Sequence, residues 1–501
     1  MGLKLRRLAG HRALFFLGVI AVAAIALVAA WVTRSAWALV AVVFYAALAV
    51  LAWKHPFGVL AFLILALPFH VFAMRAMSGR LGLPSSILLV APLWKEGVMV
   101  LLVAVLALRR ITGQDRFQVP RYPFDLGLVA VAFLMGIYAF FADRLVIGFF
   151  GLRNYLEPLV IFYLLRFVPA RRRDLKWLAG GMLLVCAVSA VFGIYQANAW
   201  SFDDMRRWGF VNAAGAIPTS FFTRIADGPR RLRAVSTLAS PNELGLLMVL
   251  MMLWAAVLAW QEGRAVRQRA LLAGGFLLSG LALVFSFSRS ATVAFLVAAV
   301  MLGVLWFGVR GLPRGVLSSA RRQPWATCVA VGVMALLVVT AWRVGLVWRL
   351  ARSITLHDPS TVAHLMSYSV AIPFILQHPL GIGLGMAGQR SFRFAALADI
   401  AHVESSYLQM MIEIGIAGAL LVIGVYLWIL WTLYRQRGRF GDPFFEVLNL
   451  ATVAAWLGCL AGFAVIPVMQ ALPLMAFLWA AAAISLVALR EPDAHTPEGP
   501  L

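Results

Sequence analysis

Apolar runs of about twenty residues, repeated from one end of the chain to the other, constrain this sequence more than any other feature. A helix that crosses the hydrocarbon core of a bilayer needs about 20 such residues. The sequence supplies candidate spans at Ala13–Val32, Ala36–Trp53, Pro56–Met74, Ser85–Leu108, Phe124–Ala142, Leu145–Arg166 and Leu175–Ala197. Seven more follow at Pro241–Trp260, Ala270–Phe287, Ser290–Val309, Trp325–Trp342, Ser405–Tyr434, Glu446–Ile466 and Ala471–Leu489. The reading is an all-α, polytopic membrane bundle of about 12–14 spans, one membrane domain over residues 1–501. Composition agrees: 63% of residues are apolar and 13% charged, far from the balance of a soluble domain. The first run follows a basic start and lacks a small-x-small cleavage site, so it reads as a retained helix. Residues 491–501 read as a disordered cytoplasmic tail.

A formal net charge of +23 could suggest a nucleic-acid partner. The basic residues argue otherwise, because they cluster in the short connections between apolar runs. Arg6 and Arg7, Arg109 and Arg110, Arg171 to Arg173, Arg264 and Arg267, Arg321 and Arg322, and Arg435 and Arg437 all fall on one side if the spans alternate. By the positive-inside rule that side is cytoplasmic, with both termini. Cys186, Cys328 and Cys459 each lie within an apolar run and form no C-x-x-C pair, so no metal or disulfide framework is expected.

Two long segments, residues 198–240 and 343–404, are then periplasmic. Their aromatic and basic mixture suits segments at headgroup level. The unusual polar residues gather at this outer edge. Arg153 and Glu157 lie in the outer half of a span, and Arg231 and Arg233 lead into Ser240, Pro241 and Asn242. Arg289 sits in the short turn Phe287-Ser-Arg-Ser290. The second segment carries His364, a glycine run at Gly381-Ile-Gly-Leu-Gly385, and His402 and Glu404 just before Tyr407. Ionisable groups at membrane depth are costly and so are functional candidates. Structural readings stand beside the functional ones: an i,i+4 pair of Arg153 with Glu157, an Arg289 that snorkels to headgroups, and an Asn242 that caps a helix. Lys95 and Glu96 fall inside a span, where a broken helix with two neutralising charges accounts for them. The glycine run follows no strand and opens no dinucleotide fold; it reads as a site of tight packing or a sharp loop. Together the arginines fit a phosphate-bearing group at the outer leaflet, because guanidinium forks match phosphate oxygens. Glu404 or His402 could take a proton from an attacking hydroxyl.

Four stretches, Arg233-Ala-Val-Ser-Thr-Leu-Ala-Ser-Pro-Asn242, Phe287-Ser-Arg-Ser-Ala291, Pro379-Leu-Gly-Ile-Gly-Leu-Gly385 and Glu404-Ser-Ser-Tyr-Leu-Gln409, resemble in order and setting the O-antigen ligase and O-antigen polymerase superfamily. The resemblance implies a membrane glycosyltransferase of the bacterial inner membrane. Glycan would move from undecaprenyl pyrophosphate to an acceptor hydroxyl on the periplasmic side, in one inverting displacement without metal or cofactor. It implies that Arg233 and Arg289 hold the pyrophosphate, with Arg153, Arg231, Asn242, His364 and Tyr407 lining the substrate site and Glu404 or His402 as base. Family ligases carry His-Asn-x-Tyr-Leu at the last motif, whereas this chain has Glu404 three residues before Tyr407. That departure leans toward an O-antigen or exopolysaccharide polymerase over a ligase acting on lipid A core or protein. The implied partners are the lipid-linked donor, a glycan or lipid-core acceptor, inner-membrane lipids and a chain-length regulator. A secondary transporter is the alternative from another class, with Lys95 and Glu96 in its favour; the sequence shows no internal repeat of the kind transporters use.

Overall fold

The computed structural model describes residues 36–114, 121–212, 214–224, 229–261, 263–307, 324–343, 345–347, 359–388 and 403–489. The first predicted span, His402 and the C-terminal tail lie outside these residues. The described chain is helical apart from one two-stranded hairpin. The helices are α1 (Ala36–Lys54), α2 (Pro56–Gly79), α3 (Ser85–Val90), α4 (Trp94–Ile111), α5 (Pro123–Phe140), α6 (Leu145–Phe167), α7 (Arg172–Ala199) and α8 (Phe202–Arg207). After the hairpin β1 (Phe222–Arg224) and β2 (Arg230–Leu232) come α9 (Pro241–Trp260), α10 (Val266–Ser286), α11 (Arg289–Phe307) and α12 (Pro324–Arg343). The last four are α13 (Pro359–Gln377), α14 (Ser406–Arg435), α15 (Pro443–Phe463) and α16 (Leu472–Ala488). Among the described residues, ten helices are long and apolar enough to cross a membrane. The apolar helix α16 adds a shorter one, buried throughout.

α9 and α16 form the centre of the bundle. Where α15 crosses α11, small residues let the backbones touch: a Cβ on Gly458 would stand 2.3 Å from the Ala294 carbonyl oxygen. Buried tryptophans carry their own hydrogen bonds, Trp254 Nε1 to Thr452 Oγ1 at 3.0 Å and Trp456 Nε1 to the Leu478 carbonyl at 2.9 Å. At the end predicted to be cytoplasmic, Arg166 of α6 donates to Asp125 of α5 at 2.9 Å, and Lys176 of α7 lies 2.7 Å from Asp442 before α15. Both pairs join residues that the predicted topology puts on one face.

Three expectations are revised. The predicted span over Ser85–Leu108 is interrupted: a 3-10 turn at Ala91–Leu93 separates α3 from α4. The predicted span over Ser405–Tyr434 is broken at Gly415, whose φ of 74° and ψ of 170° are not helical. The two long outer segments are not simply loops. Residues 198–240 hold α8 and the hairpin, and their aromatic residues pack together: Met205, Phe210, Phe221, Leu232 and Val235 are buried against Phe72, Trp200 and Trp208. Residues 343–404 hold α13.

Candidate functional site

Three of the motif stretches are helix starts, and they sit together. Ser240 caps α9 by accepting from the Glu243 N–H at 3.2 Å, so the cap is Ser240 and not Asn242. Ser288 Oγ accepts from the Ala291 N–H at the start of α11, and Ser405 Oγ from the Leu408 N–H at the start of α14. The first turns of α9 and α11 touch, since a Cβ on Gly245 would meet the Ala291 Cβ at 2.6 Å. The last turn of α15 meets α11, where a Cβ on Gly462 would lie 3.6 Å from the Ser290 carbonyl oxygen, and the segment after it bridges to α14, where Ser406 Oγ donates to the Ile466 carbonyl at 2.7 Å. A helix start carries unpaired N–H groups and the positive end of its dipole, so three together favour an anion.

Arg233 knots this assembly. Its Nε donates to the Ser286 carbonyl at 2.7 Å, Nη1 to the Ser220 carbonyl at 2.8 Å and Nη2 to Asn242 Oδ1 at 3.0 Å. The side chain is buried, and its donors hold the hairpin, the turn before α11 and the first turn of α9 in register. Phe287 in that turn has a φ of 50°, in the left-handed region that a bulky residue adopts only when its surroundings force it. Ser236 has a φ of 59° in the strap between Arg233 and α9. The strap is fastened from outside: Gln196 Oε1 accepts from the Ser236 N–H at 2.7 Å, and Arg75 donates to the Leu238 and Ala239 carbonyls at 2.8 and 2.9 Å.

Three residues beyond Ser286, Arg289 donates from Nη1 to Thr361 Oγ1 of α13 at 2.5 Å. The next turns of α13 reach the stretch before α14. Ser367 Oγ accepts from the Glu404 N–H at 2.9 Å, and His364 Nδ1 stands 3.8 Å from Glu404 Oε2. Tyr368 donates to the Ala464 carbonyl at 2.8 Å. Positions 361, 364, 367 and 368 share one helix face. α13 is thus the bridge that carries Arg289 to Glu404. Glu404 is partly buried, and that burial raises its carboxyl above the usual carboxylate range.

Behind this assembly the glycine run performs a backbone repair. The break at Gly415 removes helical partners, and the run replaces them: the Ile382 N–H donates to the Ile412 carbonyl at 2.9 Å, Gly383 to Glu413 at 3.0 Å, and Ile416 back to Pro379 at 3.0 Å. Glu413 is fully buried beside the break and accepts from Tyr155 Oη at 2.9 Å, Gln409 Nε2 at 3.2 Å and Gln470 Nε2 at 3.3 Å. Tyr155, Gln470 and Thr361 received no notice in the sequence, because their partners lie 57 to 258 residues away. Polar residues inside or bordering apolar runs were the available signal.

The other candidates are distributed differently. Arg153 belongs to a four-charge cluster: its Nε donates to Glu157 at 2.7 Å, it pairs with Glu96, and Lys95 lies 2.9 Å from Glu157. This matches the structural reading of Arg153 with Glu157 and extends the neutralised broken helix at Lys95 and Glu96 to two spans. Tyr407 donates its hydroxyl to the Leu460 carbonyl at 2.6 Å, which pins α14 to α15. Arg231 is exposed on the hairpin opposite Thr223. Arg233, Asn242, Arg289, His364 and Glu404 are the predicted residues joined by this chain of contacts.

A family model described as O-antigen ligase matches residues 274–423, a stretch that holds the Arg289 turn, α13, the glycine run and the start of α14. No curated protein gives a significant match to the chain. The match bears out the resemblance read from the motifs and supports glycosyltransferase activity of the O-antigen ligase or polymerase type in a multi-pass membrane protein.

Proposed function

We propose, from the match of residues 274–423 to a family model described as O-antigen ligase, that the chain transfers glycan from a polyprenyl pyrophosphate to an acceptor hydroxyl at the periplasmic face of the inner membrane. The observation that carries the proposal is the line of contacts from Asn242 through Arg233 to the Arg289 turn, and from Arg289 through α13 to Glu404. It puts positive charge and a carboxylate on one end of the bundle, within reach of the bilayer.

The chemistry follows from the parts. The diphosphate lies against Arg289 and the three helix starts, where both guanidinium charge and dipoles favour it. Arg233 acts by positioning, since it holds the turn that presents Arg289. The acceptor oxygen attacks the anomeric carbon from the face opposite the diphosphate and gives its proton to Glu404. The bond from the anomeric carbon to the phosphate oxygen breaks, its electron pair leaves with the diphosphate, and the configuration inverts. Charge grows on the leaving group as the bond breaks, so fixed donors there lower the barrier. A carboxylate whose pKa burial raises is a stronger base for this step than an ordinary one. His364, 3.8 Å from Glu404, is placed to steady the carboxylate's charge when its own ring is protonated. Arg289 and the three helix starts supply the charge neutralisation, so the proposal needs no metal.

The Glu404-Ser-Ser-Tyr-Leu408 form favours a polymerase, in which the acceptor is a second lipid-linked glycan. The basic connections at the other end of the bundle favour a cytoplasmic position for it and a periplasmic one for this end. The test is turnover by purified protein supplied with a polyprenyl-pyrophosphate oligosaccharide. The proposal expects longer glycan together with free polyprenyl pyrophosphate. Absence of turnover with cognate donors, combined with solute uptake in vesicles, would favour the transporter instead.

A further inference from the structure

At the opposite end of the bundle from the proposed transfer site, α4, α5 and α6 line an open cavity of about 510 Å³. Its walls are apolar, with Val103 and Ala107 from α4, Leu128 and Ala132 from α5, and Leu156 and Val160 from α6. This volume lies in the range of small-molecule pockets. The cavity's lining runs from Leu156 to Phe167 along α6, eleven helical rises. At about 1.5 Å per residue that is roughly 16 Å, the depth of one leaflet of a hydrocarbon core about 30 Å thick.

The charges at its end identify the occupant. Arg110 lines the cavity and is exposed, at the last turn of α4. Its neighbour Arg109 donates to the Trp53 carbonyl, which brings the end of α1 and Lys54 to the same place. Among the described residues, Asp125 beside this end is held by Arg166 and by the hydroxyl of Tyr163, another wall residue. Lys54 and Arg110, both exposed, thus lie at the mouth of an apolar slot one leaflet deep. Basic pockets between spans on the cytoplasmic side suit anionic lipid headgroups.

We infer that this slot binds one acyl chain of an anionic phospholipid of the cytoplasmic leaflet, with the headgroup phosphate on Arg110. The site is separate from the proposed transfer site and does not depend on its reading.

Native mass spectrometry tests the assignment on the full chain, released from nanodiscs of equal parts phosphatidylglycerol and phosphatidylcholine with matched acyl chains. The wild type is expected to retain phosphatidylglycerol about fivefold over phosphatidylcholine, the preference that one basic residue gives near an anionic headgroup. Arg110→Gln should bring the ratio close to one, and its exposed position leaves folding intact. Ala132→Trp, or Ala107→Trp from the facing wall, should remove retained lipid of both kinds. Equal retention by the wild type overturns the inference, as does a ratio that Arg110→Gln leaves unchanged. Retention unaffected by both tryptophans also overturns it and shows the slot to be covered by the chain itself.

Discussion

The guanidinium of Arg289 donates to the hydroxyl of Thr361, 72 residues away, and this contact ties the start of α11 to the helix that carries His364. The pairing makes Arg289 the residue whose loss should affect chemistry most and folding least. Arg289→Ala is expected to lower turnover by about 10²–10³, the effect of removing one preorganised donor at a developing charge. Arg289→Lys should rescue little, because an ammonium does not reproduce the planar fork. Turnover by purified variants, with membrane levels compared by blot, checks both.

Glu404 predicts a pH effect whose sign is fixed by burial. A base must be ionised, so turnover should rise with pH through a midpoint above the ordinary carboxylate range. Stability runs the other way. A carboxyl whose pKa is raised in the folded state costs stability as pH climbs from the unfolded value through the folded one. Glu404→Gln should therefore abolish turnover at neutral pH while leaving thermal stability equal or slightly higher. A marked fall in stability would assign Glu404 a structural role. His364→Ala should shift the midpoint of the pH profile without abolishing turnover.

Gly415 is the point where α14 breaks, and only a residue without a Cβ fits. A Cβ there would stand 2.6 Å from the Leu380 carbonyl carbon, and the φ of 74° is strained for any other residue. Gly415→Ala is expected to cost about 1–3 kcal/mol through strain alone. Thermal unfolding in detergent measures it. An unchanged midpoint would mean that the glycine run does not hold the break.

Lys95 stands between Glu96 and Glu157, and Arg153 contacts both acids. Removal of one partner from a buried pair leaves an uncompensated charge and costs about 3–5 kcal/mol. Lys95→Met should be strongly destabilising, and Lys95→Met combined with Glu157→Gln should recover much of the loss. Recovery of stability without recovery of turnover would move this cluster from scaffold to site.

The membrane architecture was legible in the sequence because one physical rule governs it. A run such as Pro241–Trp260 has no stable alternative in lipid but a helix, and the predicted and observed bounds of that helix coincide. The exceptions follow the same logic. Gly415 is one residue within a long apolar run, and the break it makes depends on glycines more than thirty residues earlier. α13 escaped notice because its hydroxyls and histidine read as loop composition, although positions 361, 364, 367 and 368 fall on one helical face. The role of Arg233 shows a second limit. Its type suited a phosphate, but its donors are directed at two carbonyls and an amide oxygen, which residue type alone does not reveal.

The central claim is that residues distant in sequence meet at an outward-facing site, and His364 with Glu404 is the pair that joins α13 to the stretch before α14. Cysteines would replace both in a background lacking Cys186, Cys328 and Cys459. A short, charged, bifunctional thiol reagent that cannot cross the inner membrane would then be applied to spheroplasts. A cross-link within one chain, formed without opening the membrane, is the predicted result. Cross-linking that appears only after the membrane is permeabilised, or never, would contradict the account.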